Sequence, residues 1–193
     1  MKKLFLFFTT FVVLTNFSFS QTKSKEEIES WILQKLNAFI PKNKESTYKN
    51  KDDETIVENV SNQRFYFEDG YLIRYVSVMR HKEDDLTESV HYKVKAYFPI
   101  CYYEKIEENE FPKFTIWTNK SASIKILRYD RSVLSVCSKC ENGFYNGKAD
   151  DETEFKKGLI IADVTSWETN LLERLHRAFT DLKQYYPVPK EAY

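Results

Sequence analysis

The chain has 193 residues with 29 basic and 29 acidic side chains, so its formal charge is zero and no global field draws it to nucleic acid or to an anionic lipid surface. Aromatic residues make up 16% and charged residues 30%, a mixture that argues against a disordered chain and for one folded, strand-rich domain. With four glycines there is almost no raw material for phosphate-cradling loops.

The first residues, MKKLFLFFTTFVVLTNFSFSQ, carry two lysines, an apolar run from Leu4 to Leu14, and Ser18 and Ser20 in the small-x-small positions before a cleavage point. This pattern predicts a secretory signal peptide over residues 1–20, cleaved after Ser20. The apolar run is shorter than the roughly 20 residues a membrane-spanning helix requires. No cysteine stands at the cleavage point, so a lipid anchor has no support. The expected protein is secreted or periplasmic, with no membrane insertion after cleavage.

Residues 21–41 form the next unit. Ser24 and Glu27 have the spacing of a capping box, and Ile28, Trp31, Ile32, Leu36, Phe39 and Ile40 follow on one helical side until Pro41. A short amphipathic helix is predicted from about Lys25 to Ile40, with its stripe packed on the domain that follows. Residues 42–61, which begin KNKESTYKNKDDETIVEN, are polar and lysine-rich, and read as a linker or loop with at most an edge strand at its end.

Residues 62–193 then supply strands followed by a helix. Arg64–Glu68 and Tyr71–Arg80 flank Asp69-Gly70, a strong hairpin dipeptide. Val90, Tyr92, Val94, Ala96 and Phe98 alternate with polar residues, which places one strand face inward. Lys82–Glu88 reads as an acidic turn, Pro99 as a break, and Ile100–Ile106 as a short edge strand. Further strands are expected at Lys113–Thr118, Ser123–Arg128, Ser132–Val136 and Gly158–Asp163. Turns are expected at Asn119–Ser121, Asp130-Arg131, Asn142-Gly143 and Asn146-Gly147.

The last element is the clearest helix, Thr165 to Tyr186. Leu171, Leu175, Ala178, Leu182 and Tyr185 recur at spacings of three and four, Thr165 with Glu168 has the form of a second capping box, and Pro187 ends the run.

Six or seven antiparallel strands followed by one amphipathic helix resemble pleckstrin-homology-like barrels across residues 62–186. Local pieces, Tyr97-Phe98-Pro99-Ile100, Phe114-Thr115-Ile116, Ile124-Lys125-Ile126 and Asn170-Leu171-Leu172-Glu173-Arg174-Leu175, are similar to segments of small exported bacterial proteins of unknown function. The resemblance implies an α+β fold, an antiparallel barrel-like sheet closed by the C-terminal helix, and no particular chemistry. Phosphoinositide-binding members usually have a basic loop between their first two strands, whereas Glu68-Asp69-Gly70 is acidic and tight.

Cys137 and Cys140 are the disulfide candidates, since a local bridge is the simplest fate of such a pair in an oxidising compartment. Two unlinked thiols, a bond to Cys101, and metal or redox chemistry stay open beside it. His81, His91 and His176 are scattered and read as surface histidines; G-x-S-x-G, P-loop and H-E-x-x-H sequences are absent. The carboxylates at Asp150–Glu154, with Asn146, lack the spacing of a calcium loop. Tyr66, Tyr71, Tyr75, Tyr92, Tyr97, Tyr102 and Tyr103 lie in or beside strands, where packing alone favours them. The resulting expectation is an exported, non-enzymatic binding or scaffold domain for a protein or small-molecule partner, with no cofactor, metal or catalytic set assigned. The alternative is a small extracytoplasmic hydrolase or redox protein whose site is assembled from residues distant in sequence.

Overall fold

The computed structural model describes residues 23–83, 85–109, 113–136, 144–162, 164 and 168–188. Residues 1–20, Cys137 and Cys140 lie outside the described residues. The first helix, α1 (Lys25–Phe39), starts as its sequence requires: the Ser24 amide donates to Glu27 Oε2 at 2.8 Å and the Glu27 amide to Ser24 Oγ at 3.2 Å. Its buried stripe is Ile28, Ile32 and Leu36, with Ile40 at the cap.

Among the described residues ten strands follow: β1 (Lys44–Lys49), β2 (Thr55–Glu68), β3 (Tyr71–Lys82), β4 (Asp85–Pro99), β5 (Tyr103–Glu108), β6 (Phe114–Thr118), β7 (Ile124–Val136), β8 (Phe144–Ala149), β9 (Glu152–Lys156) and β10 (Gly158–Ile161). A single 3₁₀ turn, Ile100–Tyr102, separates β4 from β5. A helix, α2 (Leu171–Lys183), comes last.

Among the described residues all pairings are antiparallel, and they make two sheets. The larger has seven strands in the order β1-β2-β3-β4-β7-β8, with β9 on the same edge of β7 as β8; the smaller is β10-β6-β5. β7 is long enough to serve both partners, β9 opposite Ile124–Arg128 and β8 opposite Arg131–Val136. The chain crosses between sheets at Lys157, from β9 of the large sheet to β10 of the small one. The expected α+β class with antiparallel strands and two helices is observed, but among the described residues the strands do not close into a barrel, because β1 and β8 end the pairing path without joining.

Both helices and both sheets share one core. Leu171, Leu175, Phe179 and Leu182 of α2 meet Ile28, Ile32 and Leu36 of α1, with Phe65, Leu72 and Phe98 from the large sheet and Phe114 and Ile116 from the small one. Phe179 is fully buried, stacks on Tyr103 with centroids 5.1 Å apart, and meets Phe98 edge-on at 6.4 Å. α1 is thus part of the domain core.

Several expectations differ from the structure. The polar linker expected over residues 42–61 is instead β1 and the first half of β2. Their turn is made by Asn50, whose Oδ1 accepts from the amides of Asp52 and Glu54 at 2.9 and 3.0 Å. An edge strand has water on more than one side, so it needs no apolar alternation, and its lysines discourage edge-to-edge pairing. Asp130-Arg131 is a bulge inside one continuous β7, with Asp130 at φ 54°, and Asn146-Gly147 lies within β8. The carboxylate-rich loop at residues 150–154 becomes β9 from Glu152 onward. α2 begins at Leu171 because Asn170 adopts φ 59°, a left-handed conformation that a right-handed helix cannot pass through. Glu168, expected in a capping box, is instead held by Lys35 at 2.7 Å and Arg174 at 2.9 Å.

Candidate functional site

Strand alternation sends Leu72, Arg74, Val76, Val78 and Arg80 of β3 to one face of the large sheet. On β4 the register places Phe98, Ala96, Val94, Tyr92 and Val90 beside them. The helices and the small sheet cover the end of this face that carries Leu72 and Phe98. The strands continue past that cover, and their continuation bears a second apolar cluster of Val76, Val78 and Tyr92, flanked by Val60, Val90 and Val94. A cleft of about 240 Å³ opens above it. β10 closes the inner end with Gly158, Leu159 and Ile160.

Four cations line this cleft: Arg74, Arg80, Arg128 and Lys156. Arg74 donates to Gln63 Oε1 from Nε at 3.0 Å and from Nη2 at 2.5 Å, and to the Ile160 carbonyl at 3.2 Å, so it links β3 to β10. Gln63 is itself buried and anchored through Nε2 to the Pro41 carbonyl at 3.0 Å. Arg128 donates to Glu154 at 3.0 Å and lies 3.6 Å from Glu152, while Lys156 meets Glu154 at 3.1 Å. Hydrogen bonds from Lys156 and Arg128 hold the Glu154 carboxyl below its ordinary range.

Arg80 stands further out, 2.5 Å from Glu58, with its guanidinium 5.3 Å from the Tyr92 ring centre and 6.0 Å from that of Tyr48. Burial disfavours its charge, but the bond to Glu58 and the neighbouring Tyr92 and Glu58 outweigh this, so its pKa is raised. Burial pushes the Tyr92 hydroxyl up to about 12. Beyond Arg80 the face continues into an outer cleft of about 270 Å³ that includes Tyr48, Ile56 and Val90. The arrangement can hold an apolar body over the valines, and the cations around it already have partners. Among the described residues, serine, cysteine and histidine are absent from the lining of the inner cleft.

The tyrosines divide between faces. Tyr92 belongs to the cleft, and Tyr103 is buried in the main core, where its hydroxyl lies 2.5 Å from His176 Nδ1 and burial raises its pKa. His176 is therefore engaged, not simply solvated. Tyr66, Tyr75 and Tyr97 lie on the opposite sheet face with Arg64 and Lys95, and Arg64 sits 4.9 Å from the Tyr75 ring. His91 shares that face, where its Nε2 lies 3.1 Å from Ser89 Oγ. Cys101 is a free, half-buried thiol whose pKa is raised by burial. Among the described residues no three metal-ligating side chains cluster, and no helix is long and apolar enough to cross a membrane.

The arginine and valine set was not assembled from the sequence. Its one legible sign was the Val90–Phe98 alternation, which gives the face of Tyr92 but not how far the sheet outruns its cover. No family model, curated protein or solved structure matches the chain.

Proposed function

We propose that the protein is an exported, non-enzymatic binding module that retains a small molecule in the cleft over Val76, Val78 and Tyr92. The observation that carries this reading is the second apolar cluster, separate from the main core, whose Val76, Val78 and Tyr92 are buried at the floor of a cleft on the strand face. Apolar floors with a few placed polar groups are the usual build of a ligand site. Export is supported by the sequence pattern of residues 1–20 and is tested by the mature N-terminus, expected at Gln21.

The same reading places the fold near the pleckstrin-homology-like class. Its support is the order of a strand run followed by a helix whose apolar side, Leu171, Leu175, Phe179 and Leu182, enters the core. The split into two sheets is the departure from that pattern.

Methyl NMR of the mature chain tests the site. Titration with a panel of small amphiphiles should shift Val76, Val78 and Val94 selectively. Shifts confined to the opposite face around Tyr75, or none at all, would overturn the assignment.

A hydrolytic reading has one observation in its favour, the 3.1 Å contact between Ser89 and His91. If it holds, the protein should hydrolyse an activated acetyl ester above background, and Ser89→Ala should abolish that rate. Equal rates in both proteins would exclude this pair as the catalytic group.

A further inference from the structure

Resting on the cleft as the binding site, we infer that its ligand is a small uncharged molecule, an apolar ring or short chain lying over the valines with a carbonyl oxygen that accepts from the Tyr92 hydroxyl. Charge decides against an ionic ligand. Among the described residues every cation of the lining is already engaged: Arg80 with Glu58, Arg128 with Glu152 and Glu154, and Lys156 with Glu154. Arg74 uses all three guanidinium nitrogens, two on Gln63 Oε1 and one on the Ile160 carbonyl. Glu58, the acid of the lining, is held by Arg80 in turn. An ion of either sign would give up its water and then either lack a partner or break one of these contacts, whereas an uncharged body loses little on entering.

Tyr92 supplies the polar contact. It is 7% exposed and lines the cleft opposite Val78, with the Arg80 guanidinium 5.3 Å from its ring centre. Among the described residues its hydroxyl has no hydrogen-bond partner, and the neighbouring valines and the Arg80 guanidinium offer it no acceptor. Glu58 acts on it through charge alone. Burial pushes the hydroxyl pKa up to about 12, so at neutral pH it stays protonated and is a donor. An enclosed donor without an acceptor costs free energy that a ligand oxygen recovers. A carbonyl oxygen does so without bringing a charge, or a donor that needs a partner of its own.

Size follows from the volume. A dry apolar cavity of about 150 Å³ takes a benzene molecule. The cleft offers about 240 Å³ over Val76, Val78 and Val94, so it admits one ring or a short chain with a small polar substituent, and it lies below the usual range for drug-sized ligands.

The test uses the mature chain with labelled methyl groups and four probes of nearly the same size and shape: acetophenone, isopropylbenzene, benzoate and protonated benzamidine. Acetophenone should shift the methyls of Val76, Val78 and Val94 and bind about ten-fold or more tighter than benzoate or benzamidine. Tyr92→Phe should weaken acetophenone about three- to ten-fold and leave isopropylbenzene unchanged. Glu58→Gln, which leaves Arg80 without its carboxylate, should narrow the gap between acetophenone and benzoate about three-fold or more. The inference is overturned if benzoate or benzamidine binds as tightly as acetophenone, if Glu58→Gln leaves the gap unchanged, or if Tyr92→Phe acts equally on acetophenone and isopropylbenzene; in each case the cleft stands as a binding site. No shift at these valines with any probe overturns both this inference and the cleft reading.

Discussion

Asn37 Nδ2 donates to the Phe65 carbonyl at 3.0 Å, and the Phe65 amide donates back to Asn37 Oδ1 at 2.8 Å. A helix side chain thereby pairs with β2 as a neighbouring strand would, at a point beyond the end of β1, whose register stops at Lys44 opposite Val60. Phe65 is 3% exposed, so both backbone groups would otherwise be left unpaired in a dry place. Asn37→Ala should cost about 2–4 kcal/mol, from two orphaned groups at roughly 1–3 kcal/mol each with partial relaxation. Urea unfolding at neutral pH checks it; a change below about 0.5 kcal/mol would show that water replaces the side chain without loss.

Gly158 begins β10 where the chain passes from the large sheet to the small one. A Cβ there would lie 2.6 Å from Thr115 Cγ2 and 3.0 Å from the Trp117 ring. Both neighbours belong to β6, the strand that β10 pairs with, so neither can withdraw without loosening the small sheet. Gly158→Ala should destabilise by about 1–3 kcal/mol, the range for overpacking a tight contact. Thermal melting reads the effect, and an unchanged melting temperature would mean that Trp117 swings aside freely.

These two contacts show where sequence reading stops. The α1 cap at Ser24 and Glu27 and the Asp69-Gly70 hairpin were legible because each is a local motif: Asp69 at φ 48° and Gly70 at φ 81° are the conformations that dipeptide favours. The alternation of Val90 to Phe98 likewise gave the inward face of β4. β1 and β9 were not legible, since their charged side chains are satisfied by water or by partners from distant strands, such as Glu152 with Arg131 at 2.6 Å. The cleft was least legible, because it depends on how far β3 and β4 run past the helices, a tertiary relationship that no local pattern encodes.

Phe179 is the residue through which α2 is joined to both Phe98 and Tyr103. Its side chain is fully buried and its three-ring contact fills the space between the helix and the start of β5. Phe179→Ala should cost about 3–5 kcal/mol, the sum of lost transfer energy and an incompletely collapsed cavity. Phe179→Leu should recover more than half of that. If guanidinium unfolding gives a loss below about 1 kcal/mol for the alanine variant, α2 is not docked through this ring.

Glu168 ties the approach to α2 back to α1. The hydrogen bond from Lys35, aided by the charges of Lys35 and Arg174, holds its carboxyl below the ordinary value of 4.5. A carboxylate with a depressed folded pKa contributes stability that is present above the unfolded value and lost as pH falls through the folded one. Glu168→Gln should therefore melt lower than the parent at pH 7, with a gap that narrows below pH 4.5 and closes in acid. Because the pair is partly exposed, added salt should shrink the gap at pH 7. A gap that stays constant from pH 7 to pH 3 would assign the effect to packing and not to charge.

The cysteines give the last test. Cys101 sits in the 3₁₀ turn after β4, half-buried, and burial pushes its thiol pKa up, so little reactive thiolate is present near neutral pH. It should alkylate slowly in the folded protein and rapidly in urea. Cys137 follows directly on Val136, the last residue of β7. Three residues of extended chain span about 10 Å, and a disulfide tolerates at most about 7 Å between Cα atoms, so a bridge from Cys137 to Cys140 requires the chain to turn within those residues. The loop closed would be very short, and its effect on the unfolded chain correspondingly small. Reduction should lower the melting temperature only slightly, and non-reducing peptide mapping of protein from the producing cell should recover Cys137 and Cys140 in one linked peptide with Cys101 free. Rapid labelling of all three cysteines in the folded, unreduced protein would exclude the bridge and the burial of Cys101 together.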